Sequence, residues 1–278
     1  KVYFEIDDLI HTVPKSHYSY KETKGWNKVK WLWRLYKVFR QCDGLIATNK
    51  NLARIYGWMT NSTLVFPNYL DLEHWLKEYK PNTTKRIRLL WAGSTSHTGD
   101  LKMIKPVIKK ILDEYPQVQF IYVGHGGIKS SDKQALFIHG EDIFDGLSDN
   151  RESMLSVPAN VWPYILSTLQ ADIAIAPLEK NYFNKSKSQC KLLEYSINKI
   201  PCVASKWFYT DIEHGKTGFL AETEEEWINY LRILIENDII RNEIKENAYQ
   251  YALSKEIRGF LPQWANFIGK SMSEFIKS

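Results

Sequence analysis

Cysteine is scarce in this sequence: the three residues, Cys42, Cys190 and Cys202, are odd in number, widely scattered and never at metal-ligand spacing. That argues against a disulfide framework and fits a reducing cytoplasm. There is no apolar run of about 18 residues and no signal-peptide core, so these residues encode neither a membrane span nor export. No repeat or low-complexity tract occurs, which leaves no basis for a solenoid or fibrous assembly. The glycine turns GSTSHTG and GHGG match neither a P-loop nor the dinucleotide fingerprint, so the two standard phosphate-binding signatures are also missing.

What is present is an ordinary globular composition. The 278 residues are 44% hydrophobic and 25% charged, enough for a large core and about two domains. The net charge of +5 is uneven: Lys15 to Arg40 holds eight Lys or Arg against Glu22 alone. The excess therefore describes one patch, and without a reading motif it does not make a nucleic-acid footprint. Within it, GWNKVKWLWRLYKVFRQCDG is helical, with Val29, Leu32, Leu35 or Tyr36, and Phe39 at core spacing. Its other face is basic. With Trp26, Trp31 and Trp33 alongside the lysines, that face suits anionic lipid headgroups, and a solvated charged face is the competing reading. The chain starts at Lys1 rather than Met, so we expect a fragment or a processed chain.

Short apolar runs alternate with helical patterns along the chain. Val2 to Ile6 reads as a strand ending in Asp7 and Asp8. Leu45 to Thr48 is a buried strand, followed by a helix Lys50 to Tyr56 with Asn49 as N-cap and Gly57 as C-cap, and Ser62 to Phe66 is a further strand. Pro81 and the PNTTK cluster mark a linker. Then come a strand Arg86 to Ala92, a glycine turn at Gly93 and Ser94, a helix Leu101 to Tyr115, and a strand Gln119 to Val123 ending at Gly124, Gly126 and Gly127. Such turns let a backbone approach a phosphate, although plain turns use glycine too. His97 has no cysteine or histidine partner at ligand spacing, so it reads as a lining or capping residue. Ala135 to His139 reads as a short strand, and little is legible up to Ser156. After a turn at Trp162 and Pro163 comes a helix to Ala171. Two amphipathic helices, Glu224 to Glu236 and Asp238 to Leu253, precede an apolar tail with Phe260, Leu261, Trp264, Phe267, Ile268, Met272 and Phe275 at helical spacing.

The most informative stretch is Ala171 to Ser205. Its two unalternating apolar strands, Ala171 to Pro177 and Ile200 to Ala204, flank a polar loop and a helix Gln189 to Asn198, which makes one βαβ unit of a parallel sheet. The loop delivers Asn184, Lys185, Ser186, Lys187 and then Ser188 as N-cap. Lys191 sits in the first helical turn, where the helix dipole disfavours a cation unless an anion accompanies it, and a phosphate would serve. Glu194 follows at i+3, roughly 10 Å along the axis from the loop, a span that suits a diphosphate and its ribose. The competing reading is a Lys/Glu pair on a solvated face.

Taken in order, EIDDL, DGLIATNKNLARIYG, VFPNYLD, LLWAGSTSHTGDL and ADIAIAPLEKNYFNKSKSQCKLLEYSINKIPCVAS followed by HGKTGFL resemble the retaining GT-B glycosyltransferases of the group 1, or family 4, type over nearly the whole chain. The resemblance implies an α/β protein of two Rossmann-like domains facing a cleft, the N-terminal one truncated at its start. The implied organisation is a partial acceptor-side domain at 1–66, a linker at 67–84, a sugar-nucleotide domain at 85–254 and, at 255–278, a helix returning to the first domain. Glu194 matches the second glutamate of the family's E-x7-E motif, which binds the donor ribose, and the first glutamate falls at Ser186. Lys187 and Ser188 would face the diphosphate, Gly93 and Ser94 match the turn beside the phosphates, and Tyr164 and the turn before it lie where the family stacks or brackets the base. His97 and Gly124 complete the expected donor wall.

The implied function is transfer of a hexose from a nucleoside-diphosphate donor to a glycan or lipid-linked acceptor with retention, in bacterial surface polysaccharide synthesis. Lys187, Lys191 and Glu194 are the expected catalytic set, and no metal or other cofactor is implied. We expect a cytoplasmic protein, with residues 15–40 able to rest on the inner membrane face. A catalytically inactive sugar-nucleotide-binding or regulatory module is the alternative, because Ser186 replaces a family glutamate.

Overall fold

The short β-branched runs form strands because each is apolar on both sides and therefore needs covering on both sides. In a computed structural model, which describes residues 1–15, 17, 19–124, 143, 144 and 146–269, these strands build two parallel sheets in two units. The first unit comprises Lys1–Leu72, Lys180–Cys190 and Ser254–Ser278, and the second Glu73–Glu179 and Lys191–Leu253. The expected strand at Ala135 to His139, and Gly126, Gly127, Met272 and Phe275, lie outside the described residues.

In the first unit β1 (Tyr3–Ile6), β2 (Gly44–Ala47) and β3 (Thr63–Val65) pair in parallel in that order. Helix α1 (Gly25–Phe39) buries Leu35 and Phe39 against Leu45, Ala47 and Tyr56, and α2 (Lys50–Tyr56) adds Leu52. Asn49 caps α2 as expected, its Oδ1 accepting the Leu52 N–H at 3.0 Å. Gly57 stands at the C-cap of α2, also as expected, with right-handed angles (φ −59°), and the chain continues from it into a 3₁₀ turn, Gly57–Met59. One expectation fails here. Val29, expected in the core stripe, is 54% exposed, because Leu35 and Phe39 fix an inner face that lies about 100° around the helix from it.

The second unit has strand order β6 (Arg151–Met154), β5 (Val118–Val123), β4 (Ile87–Ala92), β7 (Ile173–Ala176), β8 (Cys202–Ser205), β9 (Phe219–Ala221), all parallel. The chain lays β4 first, adds β5 and β6 on one side, then reverses to add β7, β8 and β9 on the other. That reversal is the doubly wound order, and it places a crevice beyond the carboxyl ends of β4 and β7. The two-residue period of β4 divides the core: Leu89 and Trp91 join one apolar cluster, Leu90 and Ala92 the other. Helices α3 (Thr98–Glu114), α6 (Glu224–Glu236) and α7 (Asp238–Leu253) contribute to the first cluster. Helices α4 (Trp162–Thr168) and α5 (Cys190–Ile197) contribute to the second.

Strand β6 lies where we read no element. Among the described residues it is an edge strand, RESM, mostly exposed, and edge strands lack the apolar run that marks a central one. Trp162 and Pro163, read as a turn, form the first turn of α4, where proline's missing N–H has no intrahelical partner to lose. The tail forms α8 (Leu261–Ile268) in the first unit. There Phe260 stacks on Tyr69 with ring centroids 3.8 Å apart, and the Tyr3 hydroxyl donates to the Phe267 carbonyl at 3.2 Å.

Candidate functional site

The carboxyl end of β4 passes directly into Gly93, whose N–H donates to the Val123 carbonyl at 2.9 Å. A side chain here has no room: a Cβ would sit 2.8 Å from Trp91 Cζ2, 2.9 Å from Lys191 Nζ and 3.0 Å from His97 Cδ2. Gly124, at the end of β5, has φ +89°, and its Cβ would fall 2.2 Å from the Gly93 carbonyl oxygen. The two glycines therefore let two strand ends and a lysine converge on one point. The exposed Ser94 hydroxyl lies 2.7 Å from that of Ser96 at the rim of the turn.

His97 joins this point through both ring nitrogens. Its Nδ1 is 2.7 Å from Asp100 Oδ2 and its Nε2 is 3.3 Å from Lys191 Nζ. An ammonium only donates and a carboxylate only accepts, so the proton sits on Nδ1 and Nε2 accepts from Lys191. The buried Asp100 also accepts the Glu179 N–H through Oδ1 at 2.6 Å, tying the loop after β7 to the first turn of α3. A carboxylate at that helix end is favoured by the dipole. Lys191 Nζ further lies 5.1 Å from the Trp91 ring centroid. The ammonium thus rests between a histidine and an aromatic face, beside the turn at Gly93.

One turn along α5 stands Glu194. Its Oε2 accepts the Trp162 indole N–H at 3.0 Å. Among the described residues Oε1 meets no hydrogen-bond partner, so half of this carboxylate's accepting capacity is free. Burial pushes the Glu194 carboxyl above the usual range, while the indole and Lys191 pull it back. The Tyr195 hydroxyl accepts the Ala92 N–H at 3.1 Å and fixes α5 against the end of β4. Tyr164, 58% exposed, lies on α4 two residues beyond Trp162.

The second unit therefore brings together Gly93, His97, Gly124 and Lys191, with Glu194 one turn beyond. Ser186, Lys187 and Ser188 belong to the first unit. Ser186 is fully buried, its Oγ accepting from Asn51 Nδ2 at 2.6 Å and its carbonyl from Asn49 Nδ2 at 2.8 Å. Lys187 Nζ lies 3.3 Å from Asp8 and 4.5 Å from the Phe183 ring centroid. Burial, together with the charge of Lys187, holds the nearby His17 imidazole below the usual range, against a smaller upward pull from Asp8. Ser188, expected to cap α5, instead directs its hydroxyl to Cys190 Sγ at 3.2 Å. Among the described residues no group of three or more His, Cys, Asp or Glu side chains is placed to hold a metal ion.

Sequence reasoning missed Asp100 as part of this site, and it read Trp162 only within the turn before Tyr164, without its contact to Glu194. Asp100 carried a usable signal, since it stands at i+3 from His97 at the start of a helix. The contact of Trp162 with Glu194 carried none, because it joins elements 32 residues apart.

No protein-family model matches the sequence, and no curated protein does. Solved structures do match. TarM aligns with a TM-score of 0.65 at 16% identity over 95% of this chain. Anabaena HepE in complex with UDP and glucose aligns with a TM-score of 0.67 at 16% identity over 97%. WaaG, a glycosyltransferase involved in lipopolysaccharide biosynthesis, aligns with a TM-score of 0.64 at 15% identity over 96%. The chain spans 49% of the TarM chain, 71% of HepE and 74% of WaaG. At these identities the likeness is one of fold, and the fold is that of the GT-B glycosyltransferases.

Proposed function

We propose that this chain is, or is part of, a glycosyltransferase that moves a hexose from a nucleoside-diphosphate donor to a glycan or lipid-linked acceptor with retention, in bacterial surface polysaccharide synthesis. The observation that carries the reading is the pair of acceptor and donor groups on α5 at the doubly wound switch point. Lys191 is held as a cation at the glycine turn, and Glu194, about 4.5 Å farther along the helix axis, keeps one carboxylate oxygen free. A diphosphate on Lys191, His97 and the Gly93–Ser94 turn, with ribose hydroxyls donating to Glu194, uses each group in its favoured role. Exposed Tyr164 is available to the base. The HepE structure that shares this fold holds UDP and glucose, which supports a sugar nucleotide as the ligand class.

Chemically, the bond between the anomeric carbon and the leaving phosphate oxygen breaks. The acceptor hydroxyl oxygen bonds to that carbon on the same face and its proton passes to the departing phosphate, and until then negative charge accumulates on the nucleoside diphosphate. Lys191, already oriented by His97, stabilises that growing charge more than it stabilises the ground state. Asp100 keeps the imidazole in the tautomer whose Nε2 accepts, so that Lys191 does not swing away. The test is a screen of UDP-, GDP- and dTDP-sugars with glycan and lipid-linked acceptors, following nucleoside diphosphate release. Acceptor-dependent release from one donor, lost in Lys191→Met, supports the reading. Nucleotide binding without turnover for any donor and acceptor refutes the transferase and leaves a binding module.

A further inference from the structure

Helix α1 carries two apolar stripes, and only one of them faces the core. Leu35 and Phe39 point inward and are buried. About a third of a turn around the helix from them, Trp26, Val29, Trp33 and Tyr36 follow one another at spacings of three, four and three residues, which aligns them on one helical face. Their exposures are 79%, 54%, 57% and 39%. Tyr36 stacks on Trp58, itself 69% exposed, with centroids 6.0 Å apart, so the stripe extends onto the turn after α2. Single exposed apolar residues are ordinary, but a contiguous aromatic row is an interaction surface.

Charge identifies the partner. Lys24, Lys30, Arg34, Lys37 and Arg40 are exposed around the row, and no Asp or Glu occurs from position 23 to 42. Lys37 Nζ lies 3.5 Å above the Trp33 ring centroid, placing a cation within the aromatic stripe itself. Lysine is depleted from protein–protein interfaces, whereas an amphipathic helix mixing tryptophan with lysine fits a lipid headgroup layer: the indoles sit at the boundary and the ammonium groups reach anionic headgroups. We propose that the outward face of α1, with Trp58, docks this protein on an anionic membrane surface. The proposal stands on the surface of the first unit and uses none of the residues assigned to nucleotide, so failure of either reading leaves the other intact.

The experiment is co-sedimentation of the full chain with vesicles of neutral phosphatidylcholine alone and with added anionic phosphatidylglycerol. We expect binding to the anionic vesicles that weakens as salt rises, and little to the neutral ones. Each cation near the surface contributes roughly fivefold to partitioning, so Lys30→Ser with Arg34→Ser should weaken it about 25-fold. Trp26→Ser with Trp33→Ser should abolish it while far-ultraviolet circular dichroism and Tm stay unchanged, since both side chains are exposed. Absence of vesicle binding, equal binding to both vesicle types, binding indifferent to both variant pairs, or a dimer in sedimentation velocity that Trp26→Ser with Trp33→Ser dissolves would overturn the proposal.

Discussion

Glu194 and Ser186 behave oppositely although they stand eight residues apart in one sequence pattern. Glu194 is a strained choice for stability: burial raises its pKa, so the ionised form costs the fold free energy. The cost is absent below about 4.5, its ordinary value, and grows as pH rises through the higher folded-state value. Replacing it with glutamine keeps the acceptor for Trp162 and removes the charge. We therefore expect Glu194→Gln to unfold at an equal or higher temperature than the parent at pH 7, with the advantage gone near pH 4, while nucleotide affinity falls at least tenfold. Thermal melts at the two pH values, with and without nucleotide, check this. Ser186 is the converse, a residue chosen for packing. Its buried hydroxyl accepts from Asn51, and a larger, charged side chain in its place would have to displace that amide and carry a carboxylate into a fully buried position. Ser186→Glu, which restores the family's pattern on paper, should therefore cost about 3 kcal/mol or more, visible in chemical denaturation.

At the scale of elements, the site depends on short links between strand ends and helix starts. Asp100 is the clearest: one carboxylate satisfies the His97 ring from the turn before α3 and the Glu179 amide from the loop after β7. An amide can present an acceptor to only one of them, so Asp100→Asn should destabilise the second unit by about 1–3 kcal/mol. It should also lower nucleotide affinity, measurable by titration of the folded variant. Central strands and long helices were legible in the sequence because burial on two faces and the helical period leave strong patterns, as in Ile87–Ala92 and Glu224–Glu236. Edge strand Arg151–Met154 was not, because one open side releases its composition from that pattern. Val29 illustrates a subtler failure. Two apolar stripes on one helix are indistinguishable by periodicity, and only the position of Leu35 and Phe39 in the packed unit decides which faces inward. In the candidate site, the place of Lys191 and Glu194 on one helix singled them out and His97 read as a lining or capping residue, whereas the contact of Trp162 with Glu194 is a tertiary one that no local pattern encodes.

For the molecule as a whole, the doubly wound order of the second unit is the feature that makes a nucleotide site plausible on physical grounds, because strand reversal opens a crevice where helix starts and glycine turns meet. In the proposed reading Lys191 would anchor phosphate and Glu194 would accept from hydroxyl groups. A ligand bound only by the folded chain raises its stability in step with concentration, by about 2.7 kcal/mol at a hundred times Kd. The most direct measurement is isothermal titration calorimetry of the folded chain and of Glu194→Gln with UDP, GDP and dTDP. One of these nucleotides should bind the parent in the micromolar to millimolar range and bind Glu194→Gln at least tenfold more weakly. No binding of any of the three, or equal binding to both proteins, would contradict the account.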